Sequence, residues 1–257
     1  NNSKTIFGGI FQGKVANFRT ISGGTFQGEV NNWFTISNGT FQREVDNCGT
    51  ISDGTFQQPV NNSKTIFDGI FQGKVANFRT ISGGTFEEVV EMNESPDGVT
   101  IEGGTFKKGI KLNAGACYPI ITDGLFDGKV SAAEGYSGTL SICGGLFTKA
   151  VDISNTGLPN LQITGGYFVN KPTLPEGSAI AFTTVRDQNG SAFQVPVNDG
   201  FSENYTSLFV PSGSSEQPNT ITVKTAAPLT DCLAGDVSIM GTDKVQLNND
   251  GSYTNEV

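Results

Sequence analysis

The sequence predicts an all-β fold: a single-stranded β-solenoid, or parallel β-helix, expected to be right-handed, with a small all-β region capping its C-terminal end. Three observations predict it. Ile, Gly, Phe and Val recur in fixed order every 15 residues. The residues around them alternate between apolar and polar, as half-buried strands do. Each unit is rich in β-branched residues and contains a glycine, a composition that opposes helix.

The period is visible when Asn17–Val30 (NFRTISGGTFQGEV) is set over Asn32–Val45 (NWFTISNGTFQREV). Ile6, Ile21, Ile36, Ile51, Ile66 and Ile81 form one column, continued by Ile101, Ile121, Ile142 and Ile163 as the interval widens to 20 and 21 residues. Three positions after each Ile stands a Gly, and two positions after that a Phe, from Phe11 to Phe168. Val15, Val30, Val45, Val60, Val75 and Val90 begin a third apolar column that runs on through Ile110, Val130 and Val151. The unit is T-I-x-x-G-x-F-x-x-x-V with a polar corner, so Ile, Phe and Val face inward and the hydroxyls between them face out. The glycine supplies a turn that a side chain would oppose.

Residues 1–170 therefore form about ten coils, a rod on the order of 45 Å long at the usual spacing between neighbouring strands. One coil cannot bury its own apolar face, so stability must come from stacking on neighbours. The segments 1–30 and 61–90 match at nearly every position, which a fold with only nearest-neighbour contacts tolerates. Asn17, Asn32, Asn47, Asn62 and Asn77 make a further column two residues after each Val, predicted to be stacked amides bonding one another and the corner backbone. The sequons at Asn38 and Asn61 are read as by-products of the repeat.

After Val90 the coils lengthen, always between the Val and the next Ile, with the stretches EMNESPDGVT, KLNAGACYPI, SAAEGYSGTLS and DISNTGLPNLQ. One edge of the rod is thus expected to bulge, and stacked insertions on one edge are a common place for binding. The candidate binding edge comprises Glu91, Glu94, Tyr118, Asp123, Asp127 and Tyr136. Against that stands the plainer reading of a solvated acidic loop with two half-buried tyrosines. Beyond Lys171 the columns stop, KPTLPEG marks a boundary, and residues 171–257 read as a small all-β region. Its strand-like segments are Ala179–Val185, Ala192–Val197, Thr206–Val210, Thr220–Thr225 and Val237–Leu247. It is expected to cover the open end of the solenoid, which would otherwise expose a sheet edge.

Composition narrows the function. Sixteen Lys and Arg against 25 Asp and Glu give a formal charge of −9, which argues against a nucleic-acid partner. The chain has no histidine, so the commonest general base and zinc ligand are missing. Cys48, Cys117, Cys143 and Cys232 form no CxxC pair, and spacing leaves a Cys117–Cys143 bridge open. No apolar run reaches the length of a membrane span, and no cofactor motif is present. The sequence opens within a repeat, which predicts a native start further upstream and any export signal removed.

The phrases TISGGTF and ITGGYF, and the closing LNNDGSYT, resemble the GGTF-type repeats of cell-surface, adhesin-like proteins from gut Gram-positive bacteria, over about two thirds of the chain. That resemblance implies an exported bacterial protein, secreted or on the cell surface, with a polysaccharide or host glycoprotein as partner. It carries over no site residues. The expected function is a noncatalytic module, monomeric, serving as a spacer rod with a recognition edge. Two alternatives remain. A polysaccharide lyase or hydrolase would need converging carboxylates, for which Asp123 with Asp127, near Lys129, is the only close acidic pair on a coil. An ice-binding face would use the outward Thr20/Ser22, Thr35/Ser37, Thr50/Ser52 and Thr80/Ser82 ladder, which Phe67 and Glu102 interrupt and Arg19 and Arg79 flank.

Overall fold

A computed structural model describes residues 4–116, 118–136, 138–156, 161–187 and 190–197, together with the backbone of three short strands further on, 237–238, 244–247 and 253–255. The fold is the expected all-β parallel solenoid. Each coil contributes one short strand to each of three parallel sheets, so the rod has an Ile face, a Phe face and a Val face. On the Phe face, ten strands from Ile10–Phe11 to Tyr167–Phe168 pair in parallel, one per coil. The Val face runs from Val15–Asn17 to Val151–Asp152 and the Ile face from Thr20–Ile21 to Leu161–Ile163.

Register follows the repeat with no slip: Ile21 pairs with Ile36, Phe26 with Phe41, and Val30 with Val45. The alternation explains the strict register, because shifting a strand by one residue would turn its Ile or Phe to solvent. All three columns lie in one continuous core in which Ile21, Phe26, Val30 and their successors are fully buried. Phe11 to Phe168 form an unbroken stack with ring centroids 4.6–4.9 Å apart and near-parallel planes. That spacing is the rise of a parallel β-coil and lies within the range favoured for offset stacking.

The corners obey the same coil-to-coil logic. Ser22 donates its amide to the Ile6 carbonyl, Gln27 to Phe11 and Trp33 to Asn17, so backbone groups at the bends are bonded as well as those in the strands. Gly54 shows why glycine sits between the Ile and Phe strands. Its φ is +136°, and a Cβ there would lie 3.2 Å from the Gly39 carbonyl oxygen of the preceding coil. At the corner between the Val and Ile faces the predicted asparagine column is present and fully buried. Asn47 donates from Nδ2 to the Asn62 Oδ1 at 2.8 Å and to the Gly49 carbonyl at 2.8 Å, while its own Oδ1 accepts from Asn32 at 2.7 Å. One amide thus closes its own turn and joins two neighbours.

The longer coils hold more than a surface loop. Met92 takes the place of asparagine and pairs in register with Asn77 and Leu112. The added residues place Ser95, Ala116, Tyr136 and Thr156 inside the rod, and Val99, Leu140 and Leu161 are also buried. The insertions therefore widen the core as well as the outline.

Past the last coil, Phe182–Arg186 and Ala192–Pro196 form an antiparallel hairpin that continues the Phe sheet through a pairing of Gln194 with Phe168. Leu174, Ile180 and Phe182 pack against the end of the solenoid core, and the Phe182 ring meets Phe168 edge-on. The strand-like segments 206–210 and 220–225 lie outside the described residues. Within 237–247 the chain makes two strands instead of one, Val237–Ser238 and Lys244–Leu247, paired antiparallel with each other and, for the second, with Tyr253–Asn255.

Candidate functional site

The predicted binding edge separates into residues at the surface and residues committed to the fold. Tyr118 is 61% exposed and has φ +52°, the only non-glycine residue with positive φ among the described residues. A bulky side chain in the left-handed region costs on the order of 1 kcal/mol, and such costs gather at functional positions. Tyr136 behaves in the opposite way. It is 3% exposed, belongs to the core, and donates its hydroxyl to the Thr139 carbonyl at 2.6 Å. Burial removes Tyr136 from the binding edge, because its ring fills the space opened by the longer coil. Neither tyrosine is half-buried, so the plainer expectation for that pair is also corrected.

Glu91 lies half-buried on the outer side of Val90–Met92, in register with Ala76 and Lys111. Glu94 is exposed at the first insertion, and a Cβ placed on Gly115 of the next coil would stand 3.2 Å from its Oε2. Asp123 closes a turn: its Oδ1 accepts the Gly124 amide at 2.7 Å, as Asn38, Asp53 and Asp68 do for their following glycines. Asp127 accepts the Thr148 hydroxyl at 2.6 Å. These two carboxylates sit on either side of Leu125–Phe126, one holding a turn and the other bonded to the following coil.

Charged side chains elsewhere pair in the same way, from one coil to the next. Lys107 meets Glu87 at 2.7 Å, Lys108 meets Glu88 at 2.6 Å, Lys129 meets Asp152 at 3.0 Å, and Arg79 meets Asp97 at 2.8 Å. All are substantially exposed, so each contributes at most about 1 kcal/mol. Hydrogen bonds from Ser154 and Lys129 hold the Asp152 carboxyl below its ordinary value. Burial, with Asp46 nearby, pushes the Cys48 thiol up. Cys48 and Cys143 are exposed free thiols, while Cys117 lies outside the described residues. Among the described residues no group of three or more Cys, Asp or Glu is placed to hold a metal ion, and no helix is long and apolar enough to cross a membrane.

Sequence reasoning passed over a second surface feature, a set of exposed aromatics in the 15-residue coils. Phe18, Trp33 and Phe34 are each about half exposed, and the Phe18 and Trp33 rings lie 6.3 Å apart and within 3° of parallel. The signal was present in the repeat: Phe18 and Trp33 stand just after the asparagine column and Phe34 one place on, where the next coils carry Cys48 and Gly49, Ser63 and Lys64, and then Phe78 and Arg79. Comparison with family models, curated proteins and solved structures finds no match for the chain.

Proposed function

We propose that this chain is a noncatalytic structural and adhesion module, secreted or displayed on a bacterial surface, whose rod spaces out a face that binds a polysaccharide or host glycoprotein. The observation that carries this reading is the way polar side chains are spent. Asp123 holds a turn, Asp127 bonds the next coil, and Lys107, Lys108 and Lys129 pair with acids on adjacent coils. The acidic pair an acid–base mechanism would draw on, Asp123 with Asp127, is bonded within the fold, whereas Tyr118 stands out into solvent at a backbone cost. The resemblance of TISGGTF and ITGGYF to repeats of surface proteins supports the same role.

The test is retention of the full chain on insoluble polysaccharides and on an array of host glycans. Saturable retention without release of reducing or unsaturated ends supports the module. Cleavage of a retained polysaccharide would overturn the noncatalytic assignment, and no retention on any surface would leave only the spacer.

One observation favours a second reading. Thr20, Thr35, Thr50, Thr65, Thr80 and Thr100 stand in direct register on the Ile face, a straight hydroxyl column of the kind an ice-binding surface needs. Thermal hysteresis of the purified chain decides it, and ordinary colligative freezing would dismiss it.

A further inference from the structure

The aromatic group in the regular half is not required by the fold. Asn17, Asn32, Asn47 and Asn62 are register partners, so Phe18, Trp33, Cys48 and Ser63 occupy one position in four successive coils. A thiol and a hydroxymethyl serve there as well as a ring. Yet Phe18, Trp33 and Phe34 stand together at one corner, 50%, 54% and 53% exposed. Contiguous exposed aromatic surface of this kind marks an interaction site.

The surroundings define what fits. Phe18 and Trp33 share one ring orientation, and the column carries no further ring at Cys48 or Ser63. Gly49 follows Cys48 and has no side chain; a Cβ there would strike the Phe34 carbonyl. Beside the Trp33–Phe34 pair there is thus a low step of thiol and glycine, bounded one coil further on by Ser63 and Lys64, both exposed. Asn31 and Asp46, register partners on the outer side of the Val face, flank one side, and exposed Arg19 stands beside Phe18. An aromatic surface rimmed by an amide, an accepting carboxylate and a cationic donor matches one chemistry well. A pyranose with equatorial hydroxyls offers an apolar C–H face to the electron-rich ring face and a rim of hydroxyls to the polar groups.

We infer that Trp33, its ring backed by Phe18 and flanked by Phe34, forms a stacking platform for a sugar unit of a β-linked polysaccharide seated in the step over Cys48 and Gly49. This rests on the polysaccharide-binding reading above and moves the contact from the widened edge to the regular half.

Trp33 is the single tryptophan of the chain, so intrinsic fluorescence reports on this position alone. The full chain is titrated with cellohexaose, chitohexaose and xylohexaose, and with α-linked maltohexaose. At least one β-linked hexasaccharide is expected to give a saturable emission change with an affinity about tenfold or more above that for maltohexaose. Two variants use residue types the same column already accommodates. Cys48→Phe adds a ring against Trp33 and abolishes the saturable response with the thermal midpoint unchanged. Trp33→Ser weakens retention on the matching insoluble polysaccharide about tenfold or more. A flat wild-type emission with all four sugars overturns the platform, as does a response that survives Cys48→Phe. If the chain is retained on a polysaccharide and Trp33→Ser is retained equally, this site falls while the binding function stands. If nothing is retained and emission is flat, both fall.

Discussion

From Asn17 to Asn77 the corner between the Val and Ile faces is filled by buried amides, whereas from Met92 onward the same position is apolar and each coil is five or six residues longer. The two facts are linked. An asparagine at the corner bonds the backbone two residues on, as Asn17 does to the Arg19 carbonyl at 2.8 Å, and so turns the chain in little space. Met92, Leu112 and Ala132 have no such bond to give. The longer coils satisfy their backbone through turns of their own, with Ala116 bonding Asn113, Tyr136 bonding Ala133, and Thr156 bonding Ile153. The amide column ends at Asn77, whose Nδ2 has the Met92 sulfur at 3.8 Å where every earlier asparagine has an oxygen. A regular rod therefore depends on a polar ladder that is satisfied throughout its length, and a wider one replaces that ladder with apolar filling.

What both halves share is the Phe stack, so its disruption should be the largest effect and equal in each. Phe56→Ala and Phe126→Ala are each expected to cost about 3–5 kcal/mol. Denaturant unfolding combined with site-resolved hydrogen exchange measures both, and a clear inequality would break the common-core description. The corner should then separate the halves. Asn47→Leu removes the acceptor of Asn32 and the donor to Asn62, and is expected to cost about 2–4 kcal/mol with lost protection centred on Gly49 and Thr50. Met92→Leu at the equivalent position should stay under about 1.5 kcal/mol. Equal costs for the two would mean that the amide ladder contributes no more than packing.

Tyr118→Gly sharpens the contrast on the widened edge. Relief of the positive φ should leave stability unchanged or raise it by up to about 1 kcal/mol. Weaker retention on the matching polysaccharide would mark Tyr118 as a contact, and a drop in thermal midpoint would instead mark it as a packing residue.

The smallest effect concerns acid. Because the folded state holds the Asp152 carboxyl below its ordinary value of 3.8, its contribution is present above that pH and is lost as pH falls through the lower folded value. Asp152→Asn should therefore flatten the acid limb of the stability curve below about pH 4, and only for coils around Lys129. An unchanged acid limb would assign the ion pair no part in stability.

Much of this was legible in the residues. Ile, Phe and Val columns are inward because alternation in a strand leaves them no other face, and the asparagine column was readable from its fixed place two residues past Val. The candidate site was far less legible. Tyr118 and Tyr136 occupy comparable insertions, yet one is exposed and the other buried, since an insertion carries no period to say which side chain turns inward. Asp123 was equally opaque as a site residue: its partner is the next backbone amide, a contact that conformation alone creates.

By itself the sequence determined that this chain coils, how many residues each turn takes and which columns form the core, because a repeated unit with nearest-neighbour contacts has one low-energy way to bury three apolar columns. Only the tertiary structure decided that the insertions widen the interior, that Tyr136 fills it, and that Phe18, Trp33 and Phe34 gather at a surface corner. The physical reason is that burial at a corner depends on what the coils above and below leave open, and those neighbours lie 15 to 21 residues away in the chain.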